Sequence, residues 1–199
     1  MADRDGLLAL LTAHAAWLGE QPAPDPGERD HLERMRAYAL RLPEPFSRWQ
    51  PDAHFTGSAL VVDPPGARVC LVLHARARRW LQPGGHADPG DGGSLEATAM
   101  REAREETGCA VRPYPGAPRP LDVNIHQAPP PTRGEAPHLH LDLRFLLVAD
   151  DPDLVAHDPG ESLDARWLAW DAALDRVGGD DHGLRRLLAK GRSVAAEVR

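Results

Sequence analysis

Glu96, Glu102, Glu105 and Glu106 fall in the run LEATAMREAREET, directly after the glycine- and proline-rich stretch PGGHADPGDGGS. At 3.6 residues per turn, the i, i+3, i+4 spacing puts Glu102, Glu105 and Glu106 within an arc of about 100°. Like charges so close repel, an i, i+4 pair costing roughly 0.2–0.5 kcal/mol. Either Arg101 and Arg104 offset them on a solvated helix face, or the acids hold a cation. The preceding loop favours the cation, because glycine backbone can approach a ligand closely. A donor set of oxygen alone, without Cys or His, suits a hard ion, Mg²⁺ or else Mn²⁺.

A second polar set alternates along HLHLDLRF, where His138, His140, Asp142 and Arg144 share one face of a strand and Leu139, Leu141, Leu143 and Phe145 the other. That face is either half-exposed or a pocket wall, on which Arg144 or His140 would contact phosphate or base. His138 and His140 alone do not complete a zinc site, since no third ligand is evident. His86 reads as structural or loop-exposed. Arg76, Arg78 and Arg79 suit an exposed hairpin end, with Arg79 the candidate to reach a phosphate. Trp80 and Trp167 belong to the core or a pocket wall.

The elements that position these residues follow from periodicity. Leu7, Leu8, Leu11, Ala15 and Leu18 predict one helix; after QPAPDPGE, Leu32, Met35, Ala39 and Leu42 predict another, entered at Asp25 before Pro26. This pair, within residues 1–50, cannot fold alone and must pack on the rest or on a second subunit. Over 51–199, strands are expected at 58–63, 68–75, 79–82, 121–126, 138–149 and 164–170, with a closing helix near LRRLLAKGRSVAAEV. Ser94 and Gly108 are placed to cap the acidic helix. Strands flanking helices without a regular βαβ repeat predict an α+β sandwich.

Composition bounds the function. The chain has 199 residues, 42% of them hydrophobic and 27% charged, enough for one domain with a core and an added flank. A net charge of −7 argues against binding nucleic acid through many phosphates. Cys70 and Cys109 make no disulfide framework and read as buried small hydrophobes. The apolar run near the start lacks a basic leader and contains His14. No stretch approaches the roughly 18 apolar residues that span a bilayer, so a cytoplasmic protein without a membrane partner is expected.

The stretch 85–108 resembles the Nudix box of the Nudix hydrolases: Gly85 matches its first glycine, Arg101 and Glu102 its Arg-Glu pair, Ala103 its apolar position, Glu105 and Glu106 its Glu-Glu pair, and Gly108 its final glycine. Two departures precede the helix. Asp91 stands in place of the first Glu, and two extra residues separate it from Arg101. Loops absorb insertions that would rotate helical ligands out of line, so the helical acids survive while the role of Asp91 is left open.

The resemblance spans roughly residues 54–176 and implies an αβα sandwich with a mixed central sheet. The implied activity is Mg²⁺-dependent hydrolysis of a diphosphate linkage in a small nucleoside diphosphate derivative. It implies Glu105 and Glu106 as metal ligands, Glu102 as ligand or base, a backbone carbonyl near Gly85 as a further ligand, and Arg101 as the group that orients a glutamate. Glu161 stands where relatives supply an additional acid, or else is an exposed turn acid, with Glu135 a weaker candidate. A noncatalytic binding module of the same fold is the alternative; an isopentenyl diphosphate isomerase would need a cysteine where LQPGGH stands. The N-terminal helices would cover the pocket or build a homodimer interface.

Overall fold

The computed structural model describes residues 4–128, 137–152, 156 and 160–197. Glu135 lies outside them. Two helices, α1 (Arg4–Glu20) and α2 (Pro26–Arg41), lead into β1 (Ala53–Val62), β2 (Arg68–His74), β3 (Trp80–Leu81) and β4 (Gly84–His86). A single 3-10 turn (Pro89–Asp91) then precedes α3 (Leu95–Thr107). The chain continues through β5 (Val111–Pro113), β6 (Asp122–Gln127), β7 (Leu139–Ala149), β8 (Ser162–Ala169), α4 (Trp170–Arg176) and α5 (His182–Glu197). The expected α+β class and mixed sheet are present. β1 begins earlier than the apolar run SALVVD implies, β4 and β5 are too short to announce themselves, and Trp170 opens a helix instead of ending a strand.

The strands form one sheet in which β1 and β7 run parallel and every other pairing is antiparallel. Along one edge of β1, Val61 and Val62 pair with β2 while Thr56, Gly57 and Ser58 pair with β4. β4 therefore lies beside β1 in the sheet, and the helix that follows it packs on both strands. α3 crosses β1 over Gly57, where a Cβ would stand 2.3 Å from the Leu95 carbonyl oxygen. Glycine is required for that approach.

Two apolar layers sandwich the sheet. On one side Leu7, Leu11, Met35, Phe55, Leu95, Ala99 and Phe145 belong to a single buried cluster, so α1 and α2 share a core with the sheet and α3. On the other, Leu60, Val62, Leu71, Leu146, Trp170 and Leu187 pack together. Burying such side chains stabilises by about 1.5–3 kcal/mol each. Cys70 and Cys109 are buried, free thiols, as expected. None of the described helices is long and apolar enough to cross a membrane.

The second face of β7 changes character along its length. His140, Asp142 and Arg144 precede Leu146 and Val148 on it, yet all are buried. Of the two readings of this face, half-exposed or pocket wall, burial removes the first. Asp142 explains how polar groups are accommodated there: its carboxylate accepts from Thr56 Oγ1 (3.0 Å), Ser58 Oγ (2.8 Å) and Arg144 Nε (3.0 Å). A buried charge survives only when so surrounded.

α1 and α2 close the β6 edge. Glu28, fully buried, accepts from the Val123 N–H (3.3 Å), and His31 Nδ1 accepts from the Ile125 N–H (3.2 Å). Glu28 also meets His14 Nε2 at 2.9 Å and the Lys190 ammonium of α5.

Candidate active site

Ser94 starts α3 as the sequence predicts: its hydroxyl accepts from the Ala97 N–H, and Gly108 ends the helix at φ 70°. Within α3, Leu95, Ala99 and Ala103 face the core. The three acids of the expected arc separate. Glu102 and Glu106, one turn apart, are 7% and 5% exposed against β4, whereas half of the Glu105 side chain is in solvent. The turn spacing brings Glu102 and Glu106 inward together; Glu105, one residue earlier than Glu106, is rotated by about 100°.

Glu161, at the start of the segment that forms β8, completes the inner pair. Glu102, Glu106 and Glu161 each offer a carboxylate oxygen within 4.8 Å of the others. A backbone hydrogen bond from Ala75 N–H to the Glu161 carbonyl (2.9 Å) ties this acid to the end of β2. β4 forms the facing wall: the Gly84 N–H donates to Glu106 Oε1 at 2.8 Å, and a Cβ at Gly85 would stand 2.5 Å from Glu102 Oε1. The glycines ahead of the helix thus let backbone lie directly against carboxylates.

Burial drives the electrostatics of the inner pair. Burial pushes the Glu102 carboxyl up to about 7, against the pull of Arg101, and pushes Glu106 up to about 8, with Glu102, Glu161 and Glu105 adding repulsion. Arg101 offsets part of the charge on Glu102, and a divalent cation would compensate the pair further. The donor set is all oxygen, two of the acids are held near backbone, and glycine leaves room, so the residues fit a hard divalent ion.

Arg101 organises the rim. Its Nη1 donates to Glu102 Oε1 and Glu105 Oε2, both at 2.9 Å, and its Nη2 donates to the His86 carbonyl at 2.8 Å. Asp91, whose role the sequence left open, accepts from Arg101 Nε and Nη2 and from Thr98 Oγ1. Burial works against the charge of Asp91, but these hydrogen bonds outweigh it and hold its carboxyl below the ordinary value. Arg101 in turn is held well above the usual arginine range, chiefly by its hydrogen bond to Asp91. Gly92 and Gly93, both at positive φ (63° and 82°), carry the chain from the 3-10 turn back to Ser94.

The other candidates lie apart from the acids or are already engaged. Arg79 faces Asp181 (3.3 Å) and Asp180 (3.8 Å) near the start of α5. Arg144, 3% exposed, is paired with Asp142 (3.0 Å) and Asp122 (3.6 Å). His140 joins His54, His86 and His138 in a cluster on the polar part of the sheet. Burial, then the neighbouring imidazoles, hold His140 far below the ordinary histidine value and therefore neutral. The sequence reading missed His54 and the Asp91–Arg101 pair. The only signals for them were a histidine opening the first strand and an acid at a box position.

The profile of the NUDIX domain matches residues 53–190. The chain belongs to the NUDIX family. A curated relative, the Probable DHNTP pyrophosphohydrolase of Lactococcus lactis subsp. cremoris (strain MG1363), is 31% identical over 104 residues, 52% of this chain and 58% of the relative. This Nudix chain therefore spans little more than half the length of that relative. Among solved structures, a C. elegans Ap4A hydrolase in a binary complex shares the fold at a TM-score of 0.53 and 18% identity, covering 72% of this chain and 98% of that one. A UDP-X diphosphatase shares it at a TM-score of 0.52 and 17% identity, covering 98% of this chain and 93% of the other, a span that takes in the N-terminal helices.

Proposed function

We propose that this Nudix protein hydrolyses a diphosphate linkage in a small nucleotide-like molecule with the help of Mg²⁺. The observation that carries the reading is the convergence of Glu102, Glu106 and Glu161 against the backbone of Gly84 and Gly85. Glu102 and Glu106 would hold the cation, with Gly85 contributing backbone. When bound, Mg²⁺ supplies charge that neutralises phosphate oxygens and makes a nearby water more acidic.

The protein's own groups divide the remaining work. Arg101 fixes the direction in which Glu102 and Glu105 point, and Asp91 fixes Arg101. Glu161 is the exposed member of the acid cluster, and in this reading its carboxylate accepts the proton of the attacking water. Glu105, half in solvent, serves as the outer acid of the rim, close enough to strengthen the cation site by charge.

The names of the relatives define the first substrates to try: DHNTP, Ap4A and a UDP-linked diphosphate. Turnover of this panel is compared with and without Mg²⁺, beside Glu106→Gln and Glu161→Gln. The expected outcome is Mg²⁺-dependent release of phosphate products that falls by at least about a hundredfold in Glu106→Gln. Absence of turnover across the panel, or full activity in both variants, overturns the assignment; tight binding without turnover points instead to a ligand-binding module.

A further inference from the structure

Three strands deliver histidines to one spot. His54 of β1 lies opposite His140 of β7 in the parallel register, and His86 of β4 lies opposite Thr56 of β1. With His138, just ahead of β7, they offer four ring nitrogens within 4.8 Å of one another. The ring centroids of His54 stand 4.9, 4.7 and 5.0 Å from those of His86, His138 and His140. His54 is fully buried, His140 is 8% exposed, and the Nε2 of His140 is a buried polar atom with no hydrogen-bond partner. Leaving such an atom unsatisfied costs about 1–3 kcal/mol.

We propose that His54, His86, His138 and His140 form a second metal site, which takes a borderline divalent transition ion of the Zn²⁺ class. The donors decide the chemistry. Four imidazoles without a carboxylate suit Zn²⁺ and its neighbours, whereas Mg²⁺ takes oxygen. Tetrahedral Zn–N bonds of about 2.0–2.1 Å set the nitrogens about 3.3 Å apart. The ring nitrogens lie within 4.8 Å of one another, so an ion would draw them together by at most about 1.5 Å. A filled site would also satisfy His140 Nε2.

The ion would brace β4. His86 directly follows Gly85, and the His86 carbonyl accepts from Arg101 Nη2 at 2.8 Å. Fixing the His86 ring to β1 and β7 therefore fixes the backbone that Glu102 and Glu106 rest on. The two sites are adjacent yet select different ions, nitrogen for one and oxygen for the other.

The test uses the full chain, stripped with a chelator and titrated with Co²⁺ in excess Mg²⁺. One equivalent of Co²⁺ is expected to give the intense visible absorption of a tetrahedral centre, displaced by Zn²⁺ and unmoved by further Mg²⁺. His140→Gln and the half-buried His86→Gln each weaken binding by at least about tenfold, the cost of losing even an outer partner of a metal site. Glu106→Gln leaves the absorption in place. Circular dichroism establishes that each variant is folded, and His86→Gln keeps the test decisive if His140→Gln does not fold. Absence of the absorption in the folded chain, or binding that survives His86→Gln and vanishes in Glu106→Gln, overturns the proposal. Because the readout is metal binding, its failure is distinct from failure of the hydrolase reading.

Discussion

The Asp91 carboxylate accepts two N–H groups of Arg101, at 3.0 and 3.1 Å, from across the Gly92–Gly93 link. This pair turns a departure in the loop into a support for the helix. The same guanidinium reaches Glu102 and Glu105, so Asp91 acts on the acid cluster through Arg101 without touching it. Asp91→Ala is expected to cost about 1–3 kcal/mol in urea unfolding, as removal of a buried charged partner does. It should also lower kcat by about tenfold or more while Asp91→Glu retains most activity. Unchanged kinetics in a folded Asp91→Ala would break the link between this pair and the site.

Gly85→Ala separates fold from site. The nearest atoms the added Cβ would meet are the tip of the Glu102 side chain, 2.5 Å away, which can rotate aside. Stability should therefore change by less than about 1 kcal/mol. The carboxylate, however, leaves its place beside Glu106, and Mg²⁺-dependent activity should drop by about tenfold or more. Calorimetry and a Mg²⁺ titration of the rate check the two halves independently.

The buried acids fix the sign of a pH effect. In the unfolded chain Glu102 and Glu106 lose their protons near 4.5, but burial keeps them protonated to about 7 and about 8 in the folded chain. Between those limits the folded state binds more protons, so the stability these groups contribute is full at low pH and declines as pH rises through the window. Melting followed by circular dichroism from about pH 5 to about pH 8.5 should show Mg²⁺ raising Tm more at the alkaline end, where both carboxylates ionise readily. An equal Mg²⁺ effect at both ends would place the ion elsewhere.

Glu28→Ala tests the attachment of the N-terminal helices. It leaves His14 without its buried carboxylate, Lys190 with Asp122 (3.1 Å) as its remaining carboxylate and the Val123 N–H without an acceptor. Breaking a buried pair from one side costs about 3–5 kcal/mol. A loss below about 1 kcal/mol in urea unfolding would mean that Glu28 does not carry the attachment of α1 and α2.

What could be read in advance was what depends on neighbours in the chain. REAREETG fixes the turn spacing of Glu102 and Glu106, and Ser94 and Gly108 cap the helix because capping is a matter of three or four residues. Which of the acids faces inward was not legible, since that depends on β4, three residues long and held by pairing to β1. The partner of Asp91 was hidden by two left-handed glycines whose path the residue types permit but do not dictate. The histidine cluster required the register of β1 against β7, a parallel pairing between strands distant in sequence. The alternation of HLHLDLRF marked one face of β7 correctly, but nothing local told that the face would be buried under Asp142 and its donors.

The hydrogen bonds that Glu28 and His31 accept from β6 have a consequence for assembly. A strand at the border of a sheet ordinarily offers a row of free amides to any extended peptide that drifts by. On β6 the outward amides of Val123 and Ile125 already donate to side chains of α2, and the body of that helix stands in the way. Growth of the sheet through this border, whether by a second copy or by a misfolded neighbour, would first require peeling away the helical pair.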